Sequence, residues 1–216
     1  AQPQNHDVAL AVIAILLSQP GDEVETKRLE QQLRQLQQQG DPQASYLLGR
    51  LYLEGRRKAA DPVLAEKMLK AAADLPEANY LLGRLYLSGL LTGTPQIQQG
   101  VDLLVQAARQ GHARADEALA NAFHNAPGVK ANPVYAWVFS SLAQQKLNSP
   151  SLQQLRSSLV LDTQHQQQAN TLLMQELRAR NVDGMPLSIV PQLASEGDGT
   201  NSEEQNRNDS ELVNNF

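Results

Sequence analysis

A twelve-residue segment occurs twice in this chain. The segment at 44–55 reads ASYLLGRLYLEG, and the segment at 78–89 reads ANYLLGRLYLSG. The two copies begin 34 residues apart, and nine of their first ten positions are identical. A period in the thirties is typical of arrays of helical hairpins, in which each unit buries its apolar face against its neighbours. The repeat therefore predicts an all-α chain.

Four positions of each copy follow the spacing i, i+4, i+5 and i+8, which places them on one face of a helix. The small residues among them let a neighbouring helix approach closely, and the Leu and Tyr side chains fill the interface. Gly55 and Gly89 are predicted to end these helices. The four positions are Ala44, Leu48, Gly49 and Tyr52 in the first copy, and Ala78, Leu82, Gly83 and Tyr86 in the second.

The apolar periodicity extends the pattern to an α–α superhelix, a solenoid of hairpins that each have a helix A and a helix B. One further unit is degenerate, because Ala120 and Phe123 replace the Gly and Tyr of the repeated segment. Residues 148–180 are predicted to form capping helices, since the end of a solenoid needs a more polar outer face. The predicted hairpin units cover about 5–40, 41–74, 75–111 and 112–147.

Charge and composition exclude several classes of protein. The net charge is −5, but residues 181–216 contribute −6, which leaves +1 for residues 1–180. This near-neutral balance lacks the basic surface of a nucleic-acid binder. The segment 181–216 is acidic and rich in Gly, Pro, Asn and Ser, and we expect it to be largely disordered. The longest apolar run, 8–17, is too short to span a bilayer.

No arrangement of residues predicts catalysis, a cofactor or a metal site. The chain has no Cys, which excludes disulfides and thiolate ligands, and its four His residues show no metal-ligand spacing. Paired acids such as Asp116 and Glu117 stand at predicted helix starts, where a carboxylate complements the helix dipole. We therefore predict that the chain is not an enzyme.

The remaining candidates are surface residues that would bind a partner. Arg50 and Arg84 occupy equivalent positions in the two copies, with Asn121 as their counterpart in the degenerate unit. Cations in register along one wall of A helices suit an acidic partner or an anionic polymer. Alternatively, these cations pair with nearby acids such as Glu54 or are solvated. Aromatic anchors often dominate interfaces, although core packing is the alternative. The aromatic candidates are Tyr46, Tyr80 and Trp137.

The repeated segment also carries a family resemblance. The pattern A-x-Y-x-L-G-x-x-Y-x-x-G, followed by an Asp-Pro or Asn-Pro turn and a helix ending in Ala-Ala-x-x-Gly, resembles the Sel1-like subclass of tetratricopeptide-type repeats. The match is carried by 44–55, 78–89 and 107–111, and the resemblance covers about 22–147. It implies a right-handed helical solenoid that binds other proteins.

A narrower resemblance rests on the long loop at 88–99 and on the closing helix that ends LLMQELRARN. With these features the chain resembles the C-terminal half of the scaffold lipoproteins of bacterial alginate secretion. The resemblance implies a location on the periplasmic face of the outer membrane, through an N-terminal lipid anchor that this sequence lacks. It also implies two protein partners, the alginate export porin and the alginate O-acetyltransferase.

Two other hypotheses stay open at this point. The chain could be a Sel1-like adaptor of another envelope or signalling pathway. It could also bind the alginate polymer directly, although weakly, since residues 1–180 are close to neutral. Such direct binding would need a continuous basic and aromatic track.

Overall fold

The regular structure is entirely helical in the part of the chain that the computed structural model describes, residues 3–55 and 57–180. This confirms the predicted all-α fold. The predicted disorder of 181–216 lies outside the described residues. The helices are α1 (Pro3–Ser18), α2 (Glu23–Gln38), α3 (Pro42–Glu54), α4 (Pro62–Lys70), α5 (Pro76–Leu87), α6 (Ile97–Arg109), α7 (Ala113–Asn125), α8 (Pro133–Gln144), α9 (Pro150–Ser158) and α10 (Thr163–Ala179).

Several helices begin at a capping residue followed by proline. Asp41 accepts a hydrogen bond of 2.8 Å from the backbone amide of Ala44, and Asp61 accepts one of 2.9 Å from Leu64. The proline that follows each Asp fixes a helical φ at a position where no amide hydrogen is needed. These caps set the starts of α3 and α4 and so define the first repeated hairpin.

Helices A and B of a hairpin pack closely at glycines. A Cβ atom on Gly83 of α5 would lie 2.9 Å from the carbonyl oxygen of Gly100 and 2.9 Å from Cγ of Leu104, both in α6. A Cβ atom on Gly49 of α3 would lie 2.6 Å from Cγ of Leu69 in α4. The glycines of the repeated segment therefore lie at the helix contacts that the sequence predicts for them.

Arg57 joins the hairpin α1–α2 to the hairpin α3–α4. It lies in the loop between α3 and α4, and its side chain is only 2% exposed. Its guanidinium donates to the carbonyl oxygens of Leu16 and Gln19 at the end of α1, and it pairs with Glu25 of α2 at 2.9 Å. The carbonyl groups at a helix end have no partner within the helix, so one guanidinium stabilises both the end of α1 and the start of α2.

The closing helix α10 is attached by buried charges as well as by apolar contacts. Ala169 is fully buried, whereas Leu172 and Leu177 are only partly buried. Glu176 is 1% exposed and pairs with Arg109 of α6 at 2.6 Å. The described helices include none that is long and apolar enough to cross a membrane.

Candidate partner-binding groove

A groove of about 710 Å³ runs across α3 and α5 to the start of α7. We call it the arginine–tyrosine groove, after the side chains that line it. Helices α3 and α5 are the A helices of two successive units, so the groove crosses the repeat boundary. Its polar and aromatic lining residues are Tyr46, Arg50, Glu54, Tyr80, Arg84, Ser88, His112 and Arg114.

The repeated segment builds the same Tyr–Arg pair twice. Tyr and Arg stand four residues apart in each copy, so they share one face of the helix beside the buried stripe. The Arg50 guanidinium carbon lies 5.9 Å from the ring centre of Tyr46, and that of Arg84 lies 5.6 Å from the ring centre of Tyr80. Arg84 also donates a hydrogen bond of 3.3 Å to the Tyr80 hydroxyl group. Each pair combines a cation with an aromatic surface.

The two arginines differ in their ionic partners. Arg50 pairs with Glu54 at 3.1 Å, one turn further along α3. Ser88 replaces that glutamate in the second copy, and its hydroxyl donates to the carbonyl oxygen of Leu85. Arg84 is exposed and forms no ion pair with any other residue that the structure describes. The pairing with a nearby acid that the sequence offered as an alternative therefore applies to Arg50 and not to Arg84.

His112 and Arg114 complete the groove, and the sequence analysis did not select either of them. The His112 ring stacks on Tyr80 with 4.4 Å between ring centres and 27° between planes. Burial lowers the pKa of His112 below its usual value; Glu77 opposes this shift, and Arg114 adds to it. The imidazole is therefore neutral near pH 7. Both residues stand at the start of α7, which is the A helix of the unit after Tyr80. An alignment of the repeats could therefore have found them.

The remaining two candidate residues lie away from this groove. Asn121 is exposed on α7, where its side-chain amide donates to the carbonyl oxygen of Glu117 at 2.9 Å. Trp137 lies on helix B of the degenerate unit, and the guanidinium carbon of Arg156 from α9 is 5.4 Å from its ring centre. The structure brings together Tyr46, Arg50, Tyr80 and Arg84, but it does not add Asn121 or Trp137 to them.

A second groove of about 330 Å³ continues the first one towards α1. The two grooves share Tyr46 and Arg50, and the second is also lined by Asp7, Ala11 and Ala14 of α1. The charged lining residues at α5 and α7 are cations, Arg84 and Arg114, whereas the lining at α1 is mostly apolar with one carboxylate, that of Asp7. A ligand that follows the whole path therefore contacts A helices of successive units.

The chemistry of the groove is that of charged, aromatic and apolar side chains. Throughout 3–55 and 57–180 no group of His, Asp and Glu is placed to hold a metal ion. In the groove, the His112 imidazole contacts an aromatic ring and lies beside an arginine, and no hydroxyl nucleophile is paired with it. The groove offers charge, aromatic surface and leucine side chains to a bound molecule.

Comparison with known proteins identifies the repeat. The Sel1 repeat family matches residues 42–75 and 76–112, which contain the hairpins α3–α4 and α5–α6. A solved structure of a protective antigen from uropathogenic Escherichia coli, which displays an SLR fold, is 30% identical with a TM-score of 0.50. The match covers 58% of this chain and 27% of that one. The predicted Sel1-like repeats and helical-repeat fold are confirmed.

Curated relatives share one name. The chain is 35% identical over 161 residues to the alginate biosynthesis protein AlgK of Pseudomonas syringae pv. tomato, covering 73% of this chain and 34% of that protein. It is 37% identical over 203 residues to AlgK of Pseudomonas aeruginosa, covering 93% of this chain and 42% of that protein. The chain thus spans less than half the length of the curated relatives it matches, and the predicted resemblance to an alginate protein is confirmed.

Proposed function

We propose that this Sel1-repeat protein is a non-catalytic scaffold of alginate biosynthesis, which holds other proteins of the secretion machinery in its arginine–tyrosine groove. The observation that carries the proposal is the position of the groove. It crosses two matched Sel1 repeats, and it presents Arg84 without an ionic partner among the described residues. The curated relatives, which are named for alginate biosynthesis, indicate the pathway.

The proposed location and partners follow from the same similarity. We place the full-length protein on the periplasmic face of the outer membrane, held there by a lipid anchor. Its partners are the alginate O-acetyltransferase and the alginate export porin. An exposed cation beside aromatic side chains supports protein binding, because Arg and Tyr are enriched among the residues that dominate interfaces.

Co-elution on a sizing column at moderate salt tests this proposal. The chain is mixed with the alginate O-acetyltransferase and, separately, with the export porin, and a shared peak with either protein is the expected result. The double variant Arg50→Glu/Arg84→Glu reverses two charges in the groove and should separate the peaks. The matched control Arg28→Glu/Lys67→Glu makes the same charge change at exposed positions on B helices α2 and α4 and should leave the peak shared.

Helical circular dichroism of both double variants shows whether the array stays folded. Separate peaks for the unaltered chain with both proteins would contradict the proposal. That result would favour a Sel1-like adaptor of another envelope or signalling pathway. A shared peak that the groove variant leaves unchanged would keep the scaffold but remove these two arginines from its binding surface.

A further inference from the structure

The charges of the arginine–tyrosine groove are unbalanced. Its lining includes three arginines and one carboxylate, that of Glu54. This carboxylate pairs with Arg50 at 3.1 Å. Glu77, outside the lining, acts electrostatically on Tyr46 and His112 but forms no ion pair with Arg84 or Arg114 in the described part of the chain. Arg84 and Arg114 are both exposed, and neither forms an ion pair within the described part of the chain. Two adjacent positive positions in a concave lining favour a ligand with negative charge.

Leucine side chains also line the groove. Leu53 belongs to α3, Leu81 belongs to α5, and Leu90 stands in the loop after α5. Leu90 is 64% exposed at the rim, so a bound ligand would remove it from water. Burial of apolar surface is favourable only against apolar groups of the ligand. The lining therefore suits a molecule that combines acidic and apolar side chains.

The aromatic rings are poorly placed for a sugar polymer. Sugar rings bind aromatic residues by laying their C–H faces on an open ring face. Tyr80 already stacks on His112 at 4.4 Å and carries the Arg84 guanidinium 5.6 Å from its ring centre. Tyr46 carries the Arg50 guanidinium in the same way. These contacts occupy part of the aromatic surface that a uronate chain would need, whereas they leave the guanidinium edges able to bind carboxylates.

We propose that the arginine–tyrosine groove binds an acidic peptide segment with interspersed apolar side chains, anchored by Arg84 and Arg114. The proposal rests on the scaffold function proposed above and names the chemistry of the segment that a partner protein inserts. The acidic side chains contact the two arginines, and the apolar side chains pack on the groove leucines. Arg50 contributes less, since it already has an ionic partner in Glu54.

Fluorescence anisotropy with a labelled peptide that alternates glutamate and leucine tests the ligand class on the complete chain. We expect this peptide to bind, and we expect added salt to weaken the binding because the arginines are exposed. A peptide of the same length with glutamine in place of glutamate should bind about tenfold more weakly. A mannuronate oligomer of matched charge should not displace the bound peptide.

Paired variants locate the site. Arg84→Gln and Arg114→Gln should each weaken binding of the glutamate–leucine peptide about tenfold. Arg28→Gln and Lys67→Gln remove the same charge from B helices and should leave affinity unchanged. Absence of peptide binding, equal loss in the control variants, or displacement by the mannuronate oligomer would each overturn the proposal. The last of these outcomes would assign the groove to the polymer.

The co-elution experiment separates this inference from the function on which it rests. If the peptide fails to bind but the chain still shares a peak with a secretion protein, only the proposed ligand class is wrong. If both experiments fail, the scaffold function is wrong as well. A peptide that binds and also separates the shared peak would show that the partner occupies this groove.

Discussion

The hydroxyl group of Tyr86 donates a hydrogen bond of 2.8 Å to the carboxylate of Glu66, which joins α5 to helix B of the preceding unit. The same bond occurs one unit earlier, where Tyr52 donates to Glu30 at 2.5 Å. In the second copy Lys70 also binds the carboxylate, at 2.6 Å. The Tyr that ends each buried stripe therefore links two units through a charge-assisted hydrogen bond.

Both members of this pair are replaced at the boundary between α6 and the degenerate unit. Leu69 and Leu104 occupy equivalent positions, because each packs over the glycine of its own helix A. Glu66 stands three residues before Leu69, and Val101 stands three residues before Leu104. Val101 is therefore the counterpart of the glutamate, as Phe123 is the counterpart of the tyrosine. When the hydroxyl and the carboxylate are both absent, neither is left buried without a hydrogen-bond partner. The double replacement therefore costs less stability than the loss of one group alone.

Tyr86→Phe is expected to lower the free energy of unfolding by about 1 kcal/mol, because it removes one hydrogen bond and keeps the ring. Glu66→Val is expected to destabilise as well, since it leaves the tyrosine hydroxyl without its acceptor. The double variant reproduces the combination of Val101 and Phe123, and it should lose less stability than the sum of the single changes. Urea denaturation of the four proteins measures this coupling, and additivity within about 0.3 kcal/mol would contradict it.

The pKa of Tyr52 predicts a loss of stability at alkaline pH. Burial, reinforced by the Glu30 carboxylate, raises this pKa from 10.0 to about 12. The folded state therefore holds the phenolic proton at pH values where the unfolded chain releases it, so stability falls as pH rises between these two values. Thermal melts across this window should show a smaller decline for Tyr52→Phe than for the unaltered chain. Equal declines would mean that Tyr52 titrates alike in both states.

The repeat made most of the fold predictable. The spacing of Ala, Leu, Gly and Tyr within each copy specifies which face is buried, and the structure buries those side chains. The Tyr–Arg pairs of the groove were also predictable, because they are part of the same repeated segment. The difference between Arg50 and Arg84 was visible too, since the copies read Glu54 and Ser88 at the position one turn later.

Long-range ion pairs were beyond prediction from periodicity. Asp116 stands in the first turn of α7, where the sequence assigned it to the helix dipole. Its carboxylate is fully buried and is bound by both terminal nitrogens of Arg180, which lies 64 residues further along the chain. A repeat period constrains neighbouring units only, and the closing helix α10 is outside the repeat.

Removal of Arg180 tests the attachment of α10. Arg180→Met leaves the carboxylate of Asp116 buried without its partner, so the free energy of unfolding should fall by about 3–5 kcal/mol. Arg178→Met, at an exposed position of the same helix, should change it by less than about 0.5 kcal/mol. Chemical denaturation at neutral pH measures both variants. Similar values for the two would mean that the Arg180–Asp116 pair does not hold the helix.

The loss of unfolding free energy caused by Arg180→Met should become smaller as the pH is lowered. Burial raises the pKa of Asp116 above its usual value, and Arg180 opposes that shift. Without Arg180 the folded state binds a proton at Asp116 more readily than the unfolded chain does, so acid stabilises this variant relative to the Arg178→Met control. A difference in unfolding free energy between the two variants that stays constant from neutral to mildly acidic pH would contradict this account.

Gly83 and Gly49 provide the sharpest test of helix packing. Alanine normally stabilises a helix interior by about 1 kcal/mol relative to glycine. A Cβ on Gly83 would lie 2.9 Å from the carbonyl oxygen of Gly100, which belongs to the α6 backbone and cannot turn aside. The three atoms nearest a Cβ on Gly49 all belong to Leu69, and the two closest are in its side chain, which can change rotamer.

Gly83→Ala should therefore destabilise the protein more than Gly49→Ala, and Gly83→Leu should cost at least about 1–3 kcal/mol by overpacking. The degenerate unit offers a control, because Ala120 already stands at the equivalent position and is fully buried. Ala120→Gly should lose at least about 1 kcal/mol, because it lowers the helix propensity and removes a buried methyl group. Thermal melts followed by circular dichroism rank the four variants. A Gly83→Leu variant that melts like the unaltered chain would mean that α5 and α6 are not in contact at Gly83.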